Sequence, residues 1–127
     1  MRESEIFMYK DNVPTSISKN SKHSRLFRGL MAAFSADMRA EALQIIAEKI
    51  QEVFPEIKIW FARQLGKRRS YVAGAGEENF VSPDEFLLAD NYYLFIQNKD
   101  KLSDKELRTI ITLSRFLIIF FDSNKEE

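Results

Sequence analysis

The 127 residues carry 19 basic and 19 acidic side chains, one histidine, no cysteine and 11 phenylalanines, with 45% hydrophobic residues. These counts exclude disulfides, thiolate chemistry and most structural zinc sites, and zero net charge runs against the basic surplus by which dedicated nucleic-acid binders neutralise phosphate. A single domain with a core that holds without covalent staples is expected, because a chain of this length buries roughly two-thirds of its unfolded surface on folding.

Residues 1–23 read as a flexible amino-terminal arm, polar and serine-containing with Pro14, interrupted by the apolar tetrad Ile6, Phe7, Met8 and Tyr9. The arm lacks the succession of basic residues, apolar stretch and small-residue cleavage site that signals secretion, so a cytoplasmic chain is expected. One domain is expected over residues 24–122, followed by a polar tail, 123–127. Leu26, Phe27, Leu30, Met31 and Phe34 recur at three- and four-residue spacing, which predicts a short amphipathic helix weakened by Gly29. Ser35-Ala36-Asp37 breaks it.

A second helix follows, with Met38, Ala42, Leu43, Ile46, Ile50, Val53 and Phe54 on one face, and Pro55 ends it. Ile57, Ile59 and Phe61 then alternate with Lys58, Trp60 and Ala62, the two-residue period of a strand. Leu65-Gly66-Lys67 turns the chain into a second strand, Arg69 to Ala75, in which Tyr71, Ala73 and Ala75 should share a face. The residues from Glu85 to Ala89 fit either a short strand or a helical turn. Asp90-Asn91 is turn chemistry, and Tyr92 to Gln97 is a strand rich in aromatic and branched residues.

Ser103 and Glu106 have the spacing of a capping box and open a long carboxy-terminal helix. Its core stripe is Leu107, Ile110, Ile111, Ser114, Leu117, Ile118 and Phe121, and Leu113, Phe116 and Phe120 form a second apolar stripe beside it. The longest apolar run, Phe116 to Phe121, is far short of the ~20 residues needed to span a bilayer, so no membrane association is expected. The order of elements predicts an α+β domain: a small antiparallel sheet with the amino- and carboxy-terminal helices packed on one face.

Residues 26–122 resemble a GAF domain, a small regulatory module of signalling proteins. The likeness lies in the helix Met38 to Phe54 before the strand Ile57 to Ala62, in the strand running into Tyr71-Val72-Ala73-Gly74-Ala75-Gly76, and in the last strand leading through Leu102-Ser103-Asp104-Lys105-Glu106-Leu107 into a long helix. The resemblance implies a GAF or profilin-like fold and a non-enzymatic regulatory or sensory role in signal transduction. One departure stands out: 15 residues between Gly76 and Tyr92 replace the longer insertion that builds much of the ligand pocket in that family. No ligand residue carries over, no cofactor is expected, and contact through surfaces is expected instead.

The second stripe of the last helix must pack on something, since burying each leucine or phenylalanine contributes roughly 1.5–3 kcal/mol. That is either the Leu26 to Phe34 helix of the same chain or the equivalent helix of another, and the GAF resemblance, in which the first and last helices commonly form the dimer bundle, implies a homodimer interface at Leu26, Leu30, Leu113, Phe116 and Phe120, with another signalling domain or protein as further partner. Arg63, Lys67, Arg68 and Arg69 cluster at the predicted hairpin turn as a candidate anion-binding patch. His23 reads as solvated, and Glu77, Glu78, Asp84, Glu85 and Asp90 as a solvated acidic loop whose spacing matches no calcium site. Trp60, Tyr71, Tyr92, Tyr93 and Phe95 read as core. No catalytic or metal-ligating set is expected. The alternatives are a dimeric scaffold of roadblock or longin type, and a nucleotide- or phosphate-binding module using the basic patch.

Overall fold

The computed structural model describes residues 21–123, with the side chains of residues 122 and 123 left aside. The apolar tetrad in the amino-terminal arm lies outside the described residues. Helix α1 spans Lys22–Phe34, starting two residues earlier than the apolar period suggests because the Ser21 hydroxyl accepts the Ser24 amide at 3.0 Å and caps it. Helix α2 spans Arg39–Val53 and ends where Pro55 pushes Phe54 toward extended backbone, at φ −124°. The strands are β1 (Lys58–Leu65), β2 (Arg68–Ala75), β3 (Asp84–Leu87) and β4 (Tyr92–Gln97). After a 3₁₀ turn at Lys99–Lys101, α3 runs over Asp104–Ser123. The segment that fitted either a strand or a helical turn is therefore the edge strand β3.

All strand pairs are antiparallel, in the order β2-β1-β4-β3. The β1–β2 turn is a two-residue loop whose first position, Gly66, has φ 63°, a conformation that costs other residues strain. Asp90 and Asn91 take consecutive positive φ values of 52° and 67° between β3 and β4, where short polar side chains are tolerated. The alternation read for β2 fails at one place. Phe61 faces Ala73 while the next residue, Ala62, faces Tyr71, so Val72 is an extra residue in a β-bulge. Ala73 and Ala75 face the helices with Phe61 and Ile59, but Tyr71 lies on the opposite side and is exposed.

One face of the sheet carries the core. Ile59, Phe61, Ala73, Leu94 and Ile96 meet Leu43, Ile46 and Ile50 of α2 and Ile110, Leu117 and Ile118 of α3 in a single buried cluster. Within α3, Ser114 is fully buried and its hydroxyl donates back to the Ile110 carbonyl at 2.8 Å, so the one polar residue of the core stripe is satisfied locally. The capping box forms as spaced: the Ser103 amide donates to Glu106 at 2.9 Å and the Glu106 amide to the Ser103 hydroxyl at 3.0 Å.

Both sheet edges are engaged. The Gln44 side chain on α2 donates to the Gly74 carbonyl and accepts the Gly74 amide, each at 3.0 Å, standing where a neighbouring strand would. At the other edge Arg115 donates to the carbonyls of Leu87 at 2.9 Å and Leu88 at 3.3 Å.

Gly29, expected only to weaken α1, is the closest approach of α1 to α2. A Cβ there would fall 2.7 Å from Cβ of Lys49 and nearer still to Cγ, atoms too close to the α2 backbone to swing aside. Gly29→Ala should lower stability by about 1–3 kcal/mol through overpacking, despite alanine's better helix propensity. Urea denaturation followed by circular dichroism measures it.

Candidate functional site

Helices α1 and α3 run side by side in the same direction. Lys22 pairs with Glu106 at 3.2 Å at one end, and at the other Phe34 packs against Phe116 (ring centroids 5.7 Å apart, edge to face) and Phe120 (4.6 Å). The second stripe of α3 thus finds its partner in α1 of the same chain, through Phe34. Two expected interface residues need correction: Leu26 and Leu30 are 4% and 6% exposed and belong to the core. The buried row of α1 is Leu26, Gly29, Leu30 and Ala33, and it turns the parallel row of Phe27 and Met31 outward, 60% and 49% exposed. Phe116 adds to that face at 53%, while Leu113 is half-buried. An apolar stripe therefore runs Phe27, Met31, Phe34, Phe116 along the outer side of the helix pair.

The four cations of the candidate anion patch do not converge. Arg69 lies on the sheet face away from the helices, where its Nε donates to Gln64 at 2.6 Å, its guanidinium stacks 3.9 Å from the Tyr93 ring centroid, and it forms an ion pair with Glu85 two strands beyond its neighbour β1. Arg63 has the opposite strand parity and lies 5.5 Å over the Tyr92 ring, which Arg39 also approaches at 4.9 Å. Arg39 in turn holds Asp90 at 3.2 Å and the Ile118 carbonyl at 3.3 Å. Lys67 sits at the turn and Arg68 opposite Leu65, both exposed, with no ion pair among the described residues.

The aromatics divide differently from expectation. Only Tyr92 is core. Trp60 and Phe95 stack at 5.2 Å on the uncovered sheet face, half-buried, with Lys58 5.5 Å over the Trp60 ring. Together with Tyr93 and Arg69 they form a ladder whose ring faces are already taken by neighbouring cations and rings, so it offers no open stacking platform.

His23 is exposed on α1 and lines a shallow pocket of about 170 Å³ with Leu26, Phe54, Ser103 and Glu106. The Ser103 amide, and secondly Lys22, hold the Glu106 carboxyl below the usual glutamate range. Glu106 thus contributes stability that is complete above the ordinary value, ~4.3, and is lost as pH falls through its lowered one. The stability difference between the parent and Glu106→Gln, measured in urea, should be larger at about pH 7 than at about pH 3.

The acidic loop is partly neutralised, Glu85 by Arg69 and Glu78 by Lys58 at 3.8 Å. Among the described residues no three His, Cys, Asp or Glu side chains are placed to hold a metal ion, and no helix is long and apolar enough to cross a membrane. No family model matches the chain, and no curated protein or solved structure is significantly similar to it.

Arg69→Ala removes two cation–π contacts, the hydrogen bond to Gln64 and one exposed ion pair together, and should cost about 1 kcal/mol. Arg69→Lys should restore less than half of that, because an ammonium cannot bond Gln64 and Glu85 while lying flat on Tyr93. Chemical denaturation of the two variants checks both statements.

Proposed function

We propose that the domain is a non-enzymatic regulatory or sensory module that dimerises through α1 and α3 and passes a signal by contact with another domain or protein. The observation that carries this reading is the stripe of Phe27, Met31 and Phe116 on two parallel helices, large side chains left about half exposed along one side of the pair. A twofold contact presents the same stripe from each copy, so every side chain it covers counts twice. A ligand or partner that prefers one arrangement of the packed helices shifts the population toward it, and no covalent step is needed. The GAF resemblance agrees with this role through element order alone.

A dimer that continues the sheet across subunits, as in the scaffold alternative, would have to displace Gln44 from Gly74 at one edge or Arg115 from Leu87 and Leu88 at the other. The phosphate-binding alternative is weakened because Arg69 and Arg63 have opposite strand parity, on a sheet where alternate residues point to opposite faces.

Phe27→Ser with Met31→Ser should turn a dimer into a monomer in light scattering at ~1 M salt, where charged contacts are screened, while leaving the fold intact, because neither residue belongs to the buried row of α1. The unfolding free energy of the monomeric form should stay within about 0.5 kcal/mol, as for other surface substitutions. At that salt, a parent chain that is monomeric at about 100 µM, well above the µM range of a specific dimer, or a double variant that remains dimeric, would overturn the reading.

A further inference from the structure

We propose that the two ends of the sheet are complementary, and that the β1–β2 hairpin tip of one copy seats in the groove beside the β2–β3 loop of a second copy. This goes beyond the helix-face dimer and uses none of its residues. Because β1 runs from Lys58 to Leu65 and β2 returns from Arg68 to Ala75, the turn at Gly66-Lys67 and the loop after Gly76 lie at opposite ends of an eight-residue ladder, about 26 Å apart.

The tip is cationic with an apolar centre. From Ile57 to Gly76 the chain has no acid, Lys67 and Arg68 are exposed without an ion pair among the described residues, and Leu65 beside them is 46% exposed.

The opposite end has the inverse character. A groove of about 650 Å³ is lined by Gln51, Glu56, Ile57, Glu77, Glu78 and Asn79 among others. Of its three carboxylates only Glu78 has an ion pair among the described residues, with Lys58 at 3.8 Å. Next to the lining residue Asn79 stands Phe80, wholly exposed. The backbone on either side of it is tied to the sheet: the buried Gln97 side chain donates to the carbonyls of Val81 at 2.6 Å and Asn79 at 3.3 Å, and the Val81 amide donates to the Asn79 side chain at 2.9 Å. A cleft with two carboxylates in no ion pair among the described residues and an exposed aromatic side chain at its rim fits a partner that brings two cations and an apolar side chain. Leu65, Lys67 and Arg68 bring those.

Lys67 and Arg68 meet Glu56 and Glu77, and Leu65 lies against Phe80. Zero net charge favours such an encounter, since the copies carry no overall repulsion and approach with opposite ends facing. The contact is head to tail, so it closes only in a ring and otherwise grows.

The test uses the full chain with Phe27→Ser and Met31→Ser, so that the helix face is silent and failure here is distinct from failure of the helix dimer. Sedimentation should show self-association whose apparent Kd rises at least about tenfold between low salt and ~1 M salt, where the screening length shrinks to about 3 Å. Lys67→Gln with Arg68→Gln kills the tip, and Glu56→Gln with Glu77→Gln kills the groove. Each variant alone should be monomeric, and an equimolar mixture should form a one-to-one pair that cannot grow. Phe80→Ser on the variant that keeps its groove should weaken that pair about tenfold, the share of a central anchor. A mixture that stays monomeric, a single variant that associates as the parent does, or a parent monomeric at low salt overturns the proposal; the last result assigns the groove to a basic segment of another protein.

Discussion

Helix α2 is buried on two sides, and the rest of the domain is arranged around that constraint. Ala42, Leu43, Ile46, Ala47 and Ile50 have no exposed surface at all. On the sheet side, β2 presents Ala73 and Ala75, small enough for α2 to lie close and for Gln44 to reach the Gly74 backbone. On the other side Gly29 lets α1 approach to the width of a lysine stem. Close packing of this kind leaves little room for a larger side chain on either flank. Once α1 is seated by Leu26, Gly29, Leu30 and Ala33, its neighbouring row has nowhere to go but outward, and the exposed stripe follows from the burial of α2.

The elements with a strong period were legible. Helices α2 and α3, the strands β1 and β4 and the Ser103/Glu106 cap stand where the spacing puts them, because one face of each is decided by burial. Three features were not. The face of α1 was misread because large apolar residues fill two adjacent rows, and what marks the buried one is its small members, Gly29 and Ala33, which carry no hydrophobic signal. The bulge at Val72 moves Tyr71 to the far side of the sheet, and nothing in Tyr-Val-Ala-Gly announces an extra residue. Strand β3 opens on two acids and is held by pairing with β4 rather than by its own propensity.

The splitting of the basic patch was legible in principle. Successive residues of a strand point to opposite faces, so Arg68 and Arg69 could not grip one anion together unless a turn or bulge intervened. The structure adds that Arg69 is drawn across the sheet to Glu85, over the Tyr93 ring. On the sheet, Arg69 and Glu85 neutralise one another on one face, whereas Lys67 and Arg68 at one end of the ladder and Glu56 and Glu77 at the other are in no ion pair among the described residues.

This sorting gives the domain two kinds of surface with different physics. The stripe on α1 and α3 is apolar, lies along the helix axes and suits a twofold contact that salt hardly touches. The sheet ends are charged, point along the strands and suit a contact that salt screens. Both surfaces are anchored to the same element: α1 packs directly on α2, and the groove at the acidic end is bounded by Gln51 of α2 and by Pro55 and Glu56 that follow it. At the basic end Arg39, the first residue of α2, joins the Asp90 turn, the Tyr92 ring under Arg63 and the Ile118 carbonyl of α3. On the proposed reading, a contact made at either end of the sheet bears on the helix against which the dimerising pair is packed, so the two surfaces are mechanically adjacent even though no residue belongs to both.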